Sequence, residues 1–101
     1  MADVFKFKAE VWEWASKEDT FFASLPADLS EELEARFGAQ AAGFGSLKVE
    51  VTVGKTTWKT SLFPDKSSGV LAYALPLKQA VRKAEGLEPG TTANYALKLA
   101  L

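Results

Sequence analysis

The sequence predicts a mainly β fold with two short helices: a six-stranded β-barrel built from a duplicated β-β-α-β unit. Three observations carry this. Apolar residues alternate with polar ones along several short segments, the period of half-buried strands. The pair Leu-Pro recurs, at Leu25–Pro26 and Leu75–Pro76, each time at the end of a strand-like run and ahead of helical spacing. The 101 residues, 48% of them hydrophobic, suit one domain with one core, residues 1–101. Its pseudo-repeat halves are about 1–53 and 54–101. Each half alone exposes an apolar strand face, and interlocking the two closes a barrel with few free edges.

The first strand runs from Val4 to Trp14. Phe5, Phe7, Ala9 and Val11 alternate with Lys6, Lys8 and Glu10. Trp12 and Trp14 then fall on the polar side. Either a bulge at Val11–Trp12 switches the faces, or another element covers the far end of that face. A second strand starts at Thr20 and ends at Pro26, which lacks an N–H and suits the first position of a helix. Leu29, Leu33 and Phe37 mark that helix, and Gly38 can stop it.

The segment "LKVEVTVGKTTWKTSLF" is the strongest hairpin signal. With Gly54–Lys55 as a two-residue turn, Val51 pairs with Trp58, Val49 with Thr60 and Leu47 with Leu62. Glu50 then meets Lys59 on the other face. After the loop "PDKSSG", the fifth strand is "VLAYALP", and Pro76 opens the second helix. Leu77, Ala80, Val81 and Ala84 give its apolar stripe, with Lys78, Gln79, Arg82, Lys83 and Glu85 pointing away. Gly86 and Leu87 fit a C-terminal cap. Ala93, Tyr95, Leu97, Leu99 and Leu101 alternate along the sixth strand.

Composition narrows the function. There are 12 basic and 13 acidic residues, net charge −1, without the basic excess typical of a nucleic-acid binder. The chain has no Cys and no His. Thiol chemistry, imidazole acid–base catalysis and Cys/His zinc sites are therefore excluded. No G-x-S-x-G or S-x-x-K motif stands in a suitable context. The expectation is a protein that is not an enzyme, with no cofactor and no metal. The start has no apolar run of signal-peptide length, and no segment reaches the roughly 20 apolar residues of a membrane span. A soluble, cytoplasmic protein with no membrane partner is expected.

The stretches "VWEW", "GFGS", "VTVGKTTWKTSLFPDK" and "LPLKQAVRKAEGLEPG" resemble, in that order and over nearly the whole chain, the bacterial domain-of-unknown-function family DUF1905. Lys48 departs from the proline more usual in the family, at the start of a strand. The resemblance implies a small double-split barrel related to the swapped-hairpin folds of the AbrB and MazE kind. Those proteins build the barrel from two chains, whereas this chain carries both halves. A monomer is therefore expected to complete the barrel.

The candidate binding residues are Arg82, Lys78, Ser61 and Lys66. Arg82 and Lys78 are neighbours one helical turn apart, and the arginine fork suits a carboxylate or phosphate. Ser61, Asp65 and Lys66 lie in "TSLFPDKSSG", which could fold over as a ligand loop. The competing reading is a solvated basic face and an ordinary connection. Trp58 is expected in the core. Trp12 and Trp14 are expected to pack over the barrel end, the alternative being an exposed binding platform. Residues 26–37 hold one base and four acids, net −3, and residues 76–86 hold three bases and one acid, net +2. A symmetric DNA-binding surface needs both halves basic, so specific DNA binding is not expected.

The function expected is a small binding or interaction module for an anionic small ligand or a protein partner. The alternatives are a nucleic-acid-contacting regulator of AbrB-like type and a minor enzyme acting on an anionic substrate.

Overall fold

The computed structural model describes residues 3–101, so the first two residues of the expected domain lie outside it. The strands are β1 (Phe5–Glu13), β2 (Phe21–Ser24), β3 (Leu47–Val53), β4 (Thr56–Leu62), β5 (Ala74–Pro76) and β6 (Thr92–Leu99). The helices are α1 (Ala27–Phe37) and α2 (Gln79–Glu85). The strands form one antiparallel sheet in the order β4-β3-β6-β1-β2-β5. A single bridge just beyond β4, Phe63 to Ala74, brings its two edges together. The result is a nearly closed barrel of six strands and two short helices. Exchanging β1 with β4, β2 with β5 and β3 with β6 leaves the set of strand neighbours unchanged, as two interlocked halves require.

Inward-facing side chains fill the barrel. Val11, Ala23, Leu47, Val49, Val51, Leu62, Leu75 and Leu97 are each no more than 1% exposed. Burying a side chain of the larger of these contributes about 1.5–3 kcal/mol. The hairpin register is as the sequence predicts, with Leu47, Val49 and Val51 opposite Leu62, Thr60 and Trp58. Gly54 has φ +56° and Lys55 has no positive φ, so the positive angle sits at the first turn residue. Among the described residues no helix is long and apolar enough to cross a membrane.

Five expectations are corrected. β1 carries no bulge: Val11, Trp12 and Glu13 stay in register with Ala23, Phe22 and Phe21. The alternation simply continues, leaving Trp12 and Trp14 on the outer wall. Glu50 lies opposite Lys59, but its charged neighbour is Lys98 on β6, 4.0 Å away. The fifth strand is not residues 70–76. The Ala72 N–H donates to Asp65 C=O and the Tyr73 N–H to Ser30 Oγ on α1, so only Ala74–Pro76 remains as a strand.

Pro76 does not open α2. It is the last residue of β5, and the extended Lys78 precedes the helix. Finally, the stripe on α2 is not the expected one. Ala80 and Ala84 are exposed, Val81 is buried, and Arg82 and Glu85 are half-buried. A seven-residue helix makes two turns, and here the side facing the barrel is Val81, Arg82 and Glu85.

Candidate functional site: an open seam in the barrel

The barrel is incomplete along one line, and the reason is local. Lys48 C=O accepts the Ala100 N–H at 2.8 Å, so β3 turns its even-numbered residues toward β6. Its odd-numbered residues then bond to β4 through Thr56, Trp58, Thr60 and Leu62. The backbone groups of Lys59, Ser61 and Phe63 face the other way, toward β5. Phe63 uses both of its groups on Ala74, at 3.0 and 2.8 Å.

Continuing that register places Pro76 opposite Ser61 and Lys78 opposite Lys59. The first of these rungs needs an N–H that proline lacks. On the other side of β5, Leu77 N–H goes to Phe21 C=O at 2.9 Å, so Pro76 points its missing donor at the seam. The second rung would set two ammonium groups against each other, which opposes pairing. Closure therefore stops after one bridge.

Beside the stalled rungs is a groove of about 200 Å³. Lys59, Lys78, Thr20 and Gln79 supply polar groups over a floor that includes Trp58 and Phe21. Asp19 is the one carboxylate lining it, against two lysines. Neither lysine forms a salt bridge among the described residues. Thr60 points inward yet stays half-exposed, because the seam leaves it uncovered.

The four sequence-predicted residues separate. Lys78 lines the groove. Ser61 lies beside it on β4, opposite Pro76 in the continued register. Arg82 does not line it. Its Cζ stands 3.7 Å from the centre of the Phe21 ring, and its Nε is buried with no hydrogen-bond partner among the described residues. Lys66 lies in a different groove, of about 420 Å³, together with Glu34, Pro64 and Tyr73. Burial, and then Glu34, raise the Tyr73 hydroxyl pKa above its ordinary value. Glu34 is the carboxylate that lines this groove with Lys66.

Sequence reasoning missed Lys59, which it had paired with Glu50. The signal was present in the prolines: a proline at a strand end marks a place where a ladder cannot continue.

Trp58 is 7% exposed, in the core as expected. Trp12 and Trp14 do not pack over the barrel end. Trp12 stacks on Phe22 with ring centres 5.0 Å apart, and its indole N–H donates to Ser24 Oγ at 2.9 Å. Trp14 meets Phe22 edge-on at 6.5 Å and is 46% exposed.

The family model for the domain of unknown function DUF1905 matches residues 7–97, nearly the whole chain. No curated protein matches it.

Proposed function

The chain belongs to the DUF1905 family, whose description names no activity, and from the seam we propose that it is a small, non-catalytic binding module for an anionic ligand. The observation that carries this is Lys59 facing Lys78 across a barrel that stops closing there. Two lysines line the groove against one carboxylate, Asp19, and neither is in a salt bridge among the described residues, so the groove favours an anion. The Lys59 backbone N–H faces the same seam and adds a donor. The apolar floor lowers the local dielectric and strengthens each interaction.

Two interlocked halves with one acidic and one basic helix fit an internal duplication in which only the second half kept a basic strand end. That asymmetry disfavours a symmetric DNA-binding surface.

The test is thermal unfolding across a panel of phosphate, sulfate and di- and tricarboxylates. We expect saturable increases in Tm for the wild type, lost in Lys78→Ala and Lys59→Thr, with both variants folded. No shift for any anion would refute the reading. So would equal loss in Lys66→Ala, which lies in the other groove.

A further inference from the structure

We propose that the ligand of this seam is a planar ring carrying an anionic group, of the nucleoside monophosphate class, with the ring on the exposed Trp14 and the phosphate on the lysines. This rests on the anion reading above and extends it along the barrel wall. The strand registers place the two features side by side. Trp14 N–H donates to Thr20 C=O at 2.8 Å, continuing the β1–β2 ladder one rung past Glu13–Phe21. Leu77 N–H donates to Phe21 C=O, continuing the β2–β5 ladder past Phe22–Pro76. Trp14, Thr20, Lys78 and Lys59 therefore lie in one row across four adjacent strand lines. Trp12, Phe22, Pro76 and Ser61 form the next row.

Trp14 and Lys78 are two strand spacings apart, about 10 Å, the reach of a nucleoside monophosphate from base to phosphate. The aromatic rings are arranged to receive a ring. Phe22 is held between Trp12 and Trp14, and Ser24 fixes the Trp12 indole. None of this is needed to fill the barrel, whose inward face is already closed by Val11, Phe21 and Ala23. Trp14, 46% exposed and edge-on to Phe22, supplies an open indole face for stacking. Base–aromatic stacking is sequence-tolerant because every base has a π face. The Thr20 hydroxyl lies between the two ends in this row, and the Asp19 carboxylate lines the same groove, where sugar hydroxyls would fall.

The acidic turn decides how long the ligand is. Glu10, Glu13, Glu18 and Asp19 cluster in sequence around Trp12 and Trp14, with only Lys17 to oppose them. A nucleic-acid strand running on past the tryptophans would bring further phosphates onto these carboxylates. A single nucleotide places its one phosphate at Lys59 and Lys78 and none there.

The experiment titrates the wild-type chain with four probes: adenosine monophosphate, ribose 5-phosphate, adenosine, and a single-stranded pentanucleotide. Isothermal calorimetry gives affinities, and tryptophan fluorescence reports stacking. We expect the nucleotide to bind at least 10-fold more tightly than ribose 5-phosphate, with quenching lost in Trp14→Ala and binding lost in Lys78→Ala. Equal affinity for the nucleotide and ribose 5-phosphate would overturn the ring but leave the anion site standing. Adenosine binding as well as its monophosphate would overturn both. Affinity that climbs with strand length in the pentanucleotide would replace the mononucleotide with a nucleic-acid strand and overturn the proposal. Trp14→Ala lies on an exposed ring, and its fold is checked by its melting curve.

Discussion

The guanidinium of Arg82 stands over the ring of Phe21, with Cζ 3.7 Å from the ring centre. A helix residue of α2 thereby covers a core residue of β2. The arginine contributes through its aliphatic stem and a cation–π contact more than through an ion pair. Arg82→Ala should cost about 1–2 kcal/mol by these terms, and Arg82→Met should recover part of that. Urea unfolding at neutral pH measures both. A variant with Ala as stable as wild type would show that the contact contributes nothing.

Gly54 and Glu85 form a second pair of constraints. The Glu85 carboxylate accepts from the Thr56 hydroxyl at 2.6 Å and from the Lys55 N–H at 3.3 Å. A side chain at Gly54 would lie 2.8 Å from Glu85 Cδ, on a backbone with φ +56°. Gly54→Ala should therefore destabilise by about 2–3 kcal/mol, from left-handed strain plus overlap. In a Glu85→Ala background only the strain remains, so the second cost should fall to about 1–2 kcal/mol. Additive costs in the double-mutant cycle would remove Glu85 from the explanation.

Tyr95 predicts an alkaline limit. Its hydroxyl is buried without a partner among the described residues, and burial raises its pKa above the ordinary value of 10.0. Tyr73 is raised too, by burial first and by Glu34 second. The folded state thus holds these protons more tightly than the unfolded chain. Their contribution is complete below about pH 10 and is lost as pH rises through the higher folded values. Tyr95→Phe removes an unpaired buried hydroxyl, so at neutral pH it should be neutral or stabilising by up to about 1 kcal/mol. It should also flatten the fall in stability above pH 10. A variant clearly less stable at neutral pH would mean that the hydroxyl has a partner.

Lys78→Glu tests the origin of the seam. It replaces a like-charge rung with an opposite-charge one facing Lys59. Stability should rise by about 0.2–1 kcal/mol, while anion-induced stabilisation disappears. Unchanged stability together with retained anion response would separate the lysines from both effects.

All six strands come from one chain, so a single chain is expected to hold the sheet without strands from a partner. Sedimentation at increasing concentration should retain a species with the mass of one chain and full β content. A dimer whose strands are exchanged between chains would contradict this; side-by-side association would not.

What the sequence determined by itself was whatever depends on local period and turn chemistry. Phe5, Phe7, Ala9 and Val11 announce one face of a strand because side chains alternate every residue. Gly54 announces its turn because few other residues tolerate the positive φ there. Once that turn is placed, the pairing of Val51 with Trp58 follows by counting. The two Leu-Pro pairs looked equivalent for the same reason: each ends a strand-like run before helical spacing.

Tertiary structure decided the rest. Pro26 precedes its helix directly, whereas Pro76 stays in a strand whose far side faces β4. Which side of a proline faces a neighbour is set by how the sheet closes, and no local pattern records that. The faces of α2 were misassigned because a helix of two turns has too few residues to average its period. Arg82 and Glu85 read as solvent-facing until Phe21 and the Gly54 turn are brought beneath them. The meeting of Lys59 and Lys78 belongs to the same class. The residues are far apart in sequence, on strands joined by a single bridge, and the closing geometry of the barrel alone sets them face to face.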